Sequence, residues 1–410
     1  MGKIAITGRI IDGTGGEPIQ NGVVLIDGDK IEKVGDKKTI DIPSEAEVID
    51  AGKGTVLPGL IDAHIHLMGA RSLSPLIWIS EPEPLKIART VRYCADLLDA
   101  GFTACRDVGG YGVYLKRAIE EGSMRGPRIS SANKVLTQTG GHGDTPSMPL
   151  GYVRQYVFFS RMCDGADECR KAAREQFREG ADLIKICTTG ALMSEKDIPG
   201  ASQFTMEEIT AIVEEATRVG KIVAAHAQWS GGIKNALKAG VKTIEHGSYI
   251  DDEAIELFLK NDAMVVPTFA IFHQSVTHGA EYGMPEYWIR KVKEAQVDRQ
   301  ESIRKAHKAG VKVALGTDYI GGPLLPFGEN AVELELLVNV GFTPMEAIIA
   351  GTLISAEAMQ MRDVIGSLEV GKLADVIIVD GDPLKDVTFL KHANNVKVVI
   401  KGGKIEKHIG

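Results

Sequence analysis

The 410-residue sequence predicts a (β/α)8 barrel joined to a small β-sandwich built from both chain ends. Three observations predict it. Short β-like pieces with Gly and Asp turns occupy both termini. Between them, eight apolar strand candidates alternate with helical patterns. The polar residues that stand out in this apolar middle fall at the C-terminal ends of the strands, where a barrel carries its chemistry. The third observation favours the barrel over the runner-up, a doubly wound open sheet.

At the N-terminus, KIAITGRII, GVVLIDGDKIEKVG and AEVIDAG alternate apolar and polar residues. ADVIIVDGD (374–382) and VKVVIKGGKIEKH (396–408) repeat that texture at the other end. Neither end is long enough for a good sheet alone, so residues 1–55 and 366–410 are expected to share one sandwich, and 56–365 to form the barrel. The eight strand candidates are 59–67, 102–108, 128–133, 183–187, 222–228, 243–248, 264–270 and 312–318. Several helical patterns between them end in Gly, the usual residue just past a helix. TMEE (205–208) reads as a capping box, Thr first and Glu three later.

Hydrophobic residues make up 44% of the chain and charged residues 25%, ordinary values for a globular protein with a large core. The formal net charge is −8 with no basic stripe, which argues against nucleic acid. No stretch approaches eighteen apolar residues, so no membrane span is expected. MGKIAITGRI turns polar at once, unlike a secretory leader, and MGKIAI lacks the Ser or Thr of a myristoylation signal. Five cysteines (94, 105, 163, 169, 187) without a CxxC pair fit reduced thiols and a cytoplasmic protein.

The chemistry begins at LPGLIDAHIHLMG (57–69), where His64 and His66 interrupt an apolar strand. Side chains alternate along a strand, so both imidazoles share one face. Alone, such a pair can arise from packing. A single strand histidine, His226 or His246, is more often a satisfied core residue, and a strand-end acid such as Asp318 is often a turn or cap. Together, four of ten histidines and one aspartate occupy equivalent ends of four strands. Imidazole and carboxylate donors suit Zn, Mn or Fe rather than Ca. Lys185 lies in the apolar strand DLIKI, where a buried ammonium is costly. It either snorkels or pairs with a carboxylate, or it reacts as the neutral amine with CO2 to give a carbamate, a metal ligand on a long arm.

These motifs resemble the metal-dependent amidohydrolase superfamily over nearly the whole chain. PGLIDAHIHL, the lysine strand, the two single-His strands, the GTD strand and the tail GSLEVGKLADVIIVDGDPL all match. QTGGHGDTP (138–146), ADLIKICTTG (181–190), VKTIEHGSYIDDE (241–253) and LGTD (315–318) look like the branch of Xaa-Pro dipeptidases and related carboxypeptidases of dipeptides and N-acyl amino acids. The resemblance implies two divalent metals, usually zinc, the first held by His64, His66 and Asp318 and the second by His226 and His246. Lys185, as the carbamate, would bridge them. It also implies a small-molecule substrate, a dipeptide or N-acyl amino acid, with His142 near the scissile carbonyl or terminal carboxylate. Asp318 would act as general base and proton shuttle. Relatives often carry an aromatic residue or His where this chain has Gln228, followed by Trp229, so Gln228 is a candidate substrate contact that cannot titrate. A second substrate class, aryl amide, carbamate, urea or lactam, stays open. A non-catalytic barrel is disfavoured because all six ligands are present, and a one-metal deaminase because of the lysine.

Arg106 and Asp107 are expected to form a structural polar pair at the rim. Trp78 and Ile79 would contribute to a lid, and His273 is a candidate loop contact. His278, His307, His392 and His408 read as surface residues. Glu329, in GTDYIGGPLLPFGEN, is expected to cap the next helix rather than to select a basic side chain. A homo-oligomer is compatible with an enzyme of this type, although no segment identifies an interface.

Overall fold

The computed structural model describes residues 2–145, 148–191 and 200–409; Pro146, the last residue of QTGGHGDTP, lies outside them. The two chain ends meet in one seven-stranded sheet. Its centre is the parallel pair Lys3–Ile10 and Glu47–Pro58, with Val376–Val379 running antiparallel to the latter and Leu57 opposite Ile377. Ile4, Ile6, Val24, Ile26, Val376, Ile378, Val398 and Ile400 bury into a single cluster. These are the inward residues of the alternating strands read at both termini, and the sheet folds around them as a sandwich.

The middle of the chain forms two parallel sheets with helices between successive strands. One contains Leu60–Ile65, Phe102–Asp107 and Arg128–Ser131. The other contains Ile184–Cys187, Val223–Trp229, Thr243–Tyr249, Met264–Val266 and Lys312–Val313, extended at its other edge by Val135–Thr137 and Ser160–Met162. Backbone hydrogen bonds stitch the seams. Ala63 N donates to Leu315 O, Asp318 N to His64 O and His66 N to Tyr319 O, while Asp182 N donates to Ser131 O. The architecture is a TIM-type barrel plus sandwich.

The third expected strand, 128–133, differs. It stops at Ser131 and resumes at Val135, because Asn133 adopts a left-handed φ of 61° and its side-chain amide donates to Gln176 Oε1 at 3.0 Å. Helix Met206–Arg218 does begin with a reciprocal capping box between Thr205 and Glu208. The helix Ser230–Ala239 ends at Gly240, whose φ of 99° suits a residue without Cβ.

Three expectations are corrected here. Arg106 and Asp107 do not pair: Arg106 binds Glu245, whereas Asp107 accepts from Leu67 N, Gly112 N and Ser131 Oγ. Alternation sends their side chains to opposite faces of one strand. Glu329 does not cap the helix Val332–Asn339, whose first turn has no side-chain cap; its neighbour Asn330 is drawn inward to Asp62 instead. His307 is half-buried, stacked on Phe342 at 3.8 Å, unlike the exposed His278, His392 and His408.

Candidate active site

The strand ends converge on one cavity of about 600 Å3, lined in part by His64, His66, His142, Lys185, His226, His246 and Asp318. His64 Nε2 and His66 Nε2 lie 3.4 and 3.2 Å from the same oxygen, Asp318 Oδ1. His226 and His246 have ring centroids 4.6 Å apart, and His246 is 5.2 Å from His64. Donor atoms of His64, His246 and Asp318 all fall within 4.8 Å of one another. This tight group cuts across the expected division into two sets, so the donors form one continuous cluster.

Each imidazole is oriented from behind. His66 Nδ1 faces Gly109 O at 2.9 Å, and His64 Nδ1 faces Glu245 Oε2 at 2.6 Å. An acceptor at Nδ1 fixes the proton there and leaves the Nε2 lone pair toward Asp318. His226 is turned the other way, with Nε2 3.2 Å from Gly190 O, so its Nδ1 carries the lone pair. His246 Nδ1 meets Thr268 Oγ1 at 2.7 Å. Histidines held as preset ligands, backed by acceptors, are what a divalent cation site requires, and the donor set fits one.

The backbone bends to make this arrangement. His246, Thr268 and Asp318 have φ of 75°, 52° and 60°, a region that non-glycine residues enter at a cost. Gly316 lets the eighth strand approach: a Cβ there would fall 2.7 Å from His64 Cβ. Beneath the histidines, Arg106 binds both oxygens of Glu245 at 2.8 and 2.9 Å. Asp62, wholly buried, accepts from Thr317 Oγ1 at 2.7 Å and Asn330 Nδ2 at 2.8 Å.

Burial lowers the Lys185 pKa, which favours the neutral amine, and among the described residues no carboxylate lies within 4.0 Å of its nitrogen. Burial also holds His226 and His246 well below the usual imidazole range.

His142 lines the cavity and stacks on His226 at 4.2 Å. Its backbone N–H donates to Gln203 Oε1 at 2.9 Å, and Gly143 N donates to Thr137 Oγ1 at 3.2 Å, which shapes the glycine loop. Gln228 is corrected: it is buried behind the wall and does not line the cavity, its oxygen accepting the Ser248 hydroxyl. Arg299 donates to that same hydroxyl, so the amide joins a structural network. His273 is exposed on the helix Phe269–His278 and also stays outside. Trp78 lines the cavity from the short helix Pro75–Ser80, packed edge-on against Phe159 at 5.4 Å, while Ile79 packs into the cluster of Val153, Val157 and Met162.

Glu245, Thr268 and Asp62 are absent from the residues that the sequence singles out. Glu245 was the legible one, since an acid inside the buried strand TIEHGS needs a partner.

The amidohydrolase family profile matches residues 55–405, which spans every residue of this cluster. The chain belongs to the amidohydrolase family. Ochratoxinase from Aspergillus niger is 34% identical over 99% of this chain and 87% of its own length. A crystal structure of a prolidase complexed with N-methylphosphonate-L-proline is 33% identical, with a TM-score of 0.91 over 99% of this chain and 100% of that one. A Xaa-Pro dipeptidase with methionine bound in its active site is 32% identical, with a TM-score of 0.87 over 99% of this chain and 100% of that one. This amidohydrolase is a hydrolytic enzyme acting on amide bonds of small molecules. Among its described residues, no helix is long and apolar enough to cross a membrane.

Proposed function

We propose that this amidohydrolase releases the C-terminal amino acid from dipeptides or N-acyl amino acids by hydrolysing the amide C–N bond. One observation carries the reading: four oriented imidazoles, Asp318, Lys185 and His142 face a single cavity of about 600 Å3, the size of a small-molecule site. The similarity to a prolidase and a Xaa-Pro dipeptidase supports a substrate with an amino-acid leaving group.

His64, His66 and Asp318 would hold one divalent cation and His226 and His246 a second, zinc being the metal usual for such donors. Lys185, whose neutral amine can add CO2 at Nζ and release a proton to become a carbamate, would help to hold both cations. Bound cations of this kind acidify water and polarise a carbonyl. Asp318, already shared between His64 and His66, accepts the proton of the attacking water and delivers it to the amide nitrogen, which leaves only once protonated. His142 reaches over His226 and donates to the oxyanion that develops on the former carbonyl oxygen, a contact typically worth about 3–4 kcal/mol of barrier.

The test is release of C-terminal amino acids from a library of dipeptides and N-acyl amino acids by zinc-loaded protein grown with bicarbonate. Selective release of one class is expected. No release by protein that retains about two metals per chain would overturn the substrate and leave the metal site. A second reading, hydrolysis of aryl amides or carbamates on the same site, draws on the aromatic lining of the cavity by Trp78, Phe159, Tyr282 and Trp288. The chain is also 25% identical to molinate hydrolase with a TM-score of 0.81.

A further inference from the structure

A substrate that ends in a carboxylate needs a cation, and the donor cluster leaves one at the cavity. Among the described residues lining it, Arg71 is the sole arginine, and the sole lysine is Lys185 of the donor cluster. Arg71 follows the first barrel strand, five positions after His66. Its side chain is exposed, and among the described residues no carboxylate lies within 4.0 Å of its guanidinium. The acidic neighbour whose field it shares, Glu81, is already gripped at both oxygens by Arg89 at 2.6 and 2.8 Å.

The backbone beneath Arg71 is held firmly. The Tyr93 hydroxyl donates to Ala70 O at 3.1 Å and accepts from Gly322 N at 3.2 Å. Gly322, with φ +79°, presses so close that a Cβ on it would fall 2.8 Å from Arg71 Cα. A cation on a fixed base thus faces a cavity whose walls are largely apolar, with Trp78, Phe159, Met284 and Trp288 among them. Among the described residues, the one acidic lining residue outside the donor cluster is Asp144, on the His142 loop, with Oδ2 accepting Gly140 N at 2.8 Å. Its charge repels a carboxylate from that side and favours its approach to Arg71.

We propose that Arg71 binds the free carboxylate of the substrate's amino-acid half and so sets specificity for carboxylate-terminated amides. The inference rests on the peptidase-like reading above and assigns it a residue. A planar guanidinium can grip both carboxylate oxygens, which a carboxamide cannot reproduce. His142 is then left for the oxyanion rather than the carboxylate.

The experiment compares steady-state turnover of matched N-benzoyl amino acids and their C-terminal carboxamides by the metal-loaded, full-length enzyme. The unmutated enzyme is expected to prefer the acid by about 30-fold in kcat/KM, chiefly through KM. Arg71→Met should shrink that preference to less than about threefold, and Arg71→Lys should keep part of it. Equal use of acid and carboxamide by the unmutated enzyme overturns the proposal and leaves amide hydrolysis standing. An equal loss on both substrates in Arg71→Met, with no recovery in Arg71→Lys, also overturns it, because a structural role would act that way. Turnover of neither substrate by unmutated, metal-loaded enzyme overturns the peptidase-like reading, and the Arg71 assignment with it.

Discussion

Glu245 Oε2 sits 2.6 Å from His64 Nδ1 while both Glu245 oxygens are held by Arg106, so one buried carboxylate orients a cavity-lining imidazole and neutralises a buried guanidinium. Burial alone would raise the Glu245 pKa, but Arg106 and His64 outweigh it and keep the group ionised. Glu245→Gln should therefore do two things. Leaving Arg106 without its counter-charge should cost about 3–5 kcal/mol of stability. Weakening the support of His64 should lower zinc affinity by about 10- to 100-fold. Thermal unfolding and metal competition with a chelator read the two effects separately. Unchanged zinc affinity would show that Glu245 is purely structural.

Asp318→Asn tests the proton shuttle. Asn can still face the histidines but cannot take up a proton at neutral pH. Turnover should fall by about 10²- to 10⁴-fold. Metal content must be measured alongside, because Asp318 is also a candidate ligand. A variant that retains its metal and turns over within about threefold of the parent would exclude Asp318 as the base.

Thr268 is buried at φ 52°, and its hydroxyl meets His246 Nδ1 at 2.7 Å. Thr268→Val keeps the shape and the β-branch but removes the hydroxyl, leaving His246 without that partner. Zinc affinity should fall by about 10-fold or more, whereas Thr268→Ser should stay close to the parent. Equal zinc affinity in the valine variant would show that the hydroxyl does not orient the ring.

Glu333 gives a pH signature. Burial pushes its carboxyl up to about 8, against hydrogen bonds accepted from Phe269 N and Ala270 N and the nearby Arg299 charge. The folded state thus holds this proton after the unfolded state has lost it. The proton's contribution to stability is present in full near pH 4.5 and below, and is lost as pH rises toward about 8. At about 1.4 kcal/mol per pKa unit, the loss is on the order of 5 kcal/mol. Glu333→Gln should flatten that slope, so the difference in unfolding free energy between variant and parent should move in the variant's favour from pH 5 to pH 8. A constant difference would mean that Glu333 is already ionised in the folded protein at pH 5.

Much of the site was legible because its residue types conflict with their surroundings. Four histidines, a lysine and a strand-end aspartate in apolar strands are costly unless paired, so their pattern carried information that composition did not. The capping box at Thr205 was equally readable, because both partners lie within one turn. Gln228 misled, since burial behind the wall depends on Ser248, twenty positions away in sequence.

The sequence by itself determined the strand–helix alternation, the pairing of the two chain ends and the donor residues, since each follows from local periodicity and residue chemistry. Only the tertiary structure decided which neighbours those residues meet. Strict alternation sends Glu245 and His246 to opposite faces, yet Glu245 touches His64 directly and His246 lies 5.2 Å from it between ring centroids. The left-handed turn at His246, φ 75°, breaks the alternation there. A conformation that unfavourable is chosen by the packing around it, from Thr268 behind the ring to Arg106 beneath the carboxylate, and not by the local sequence.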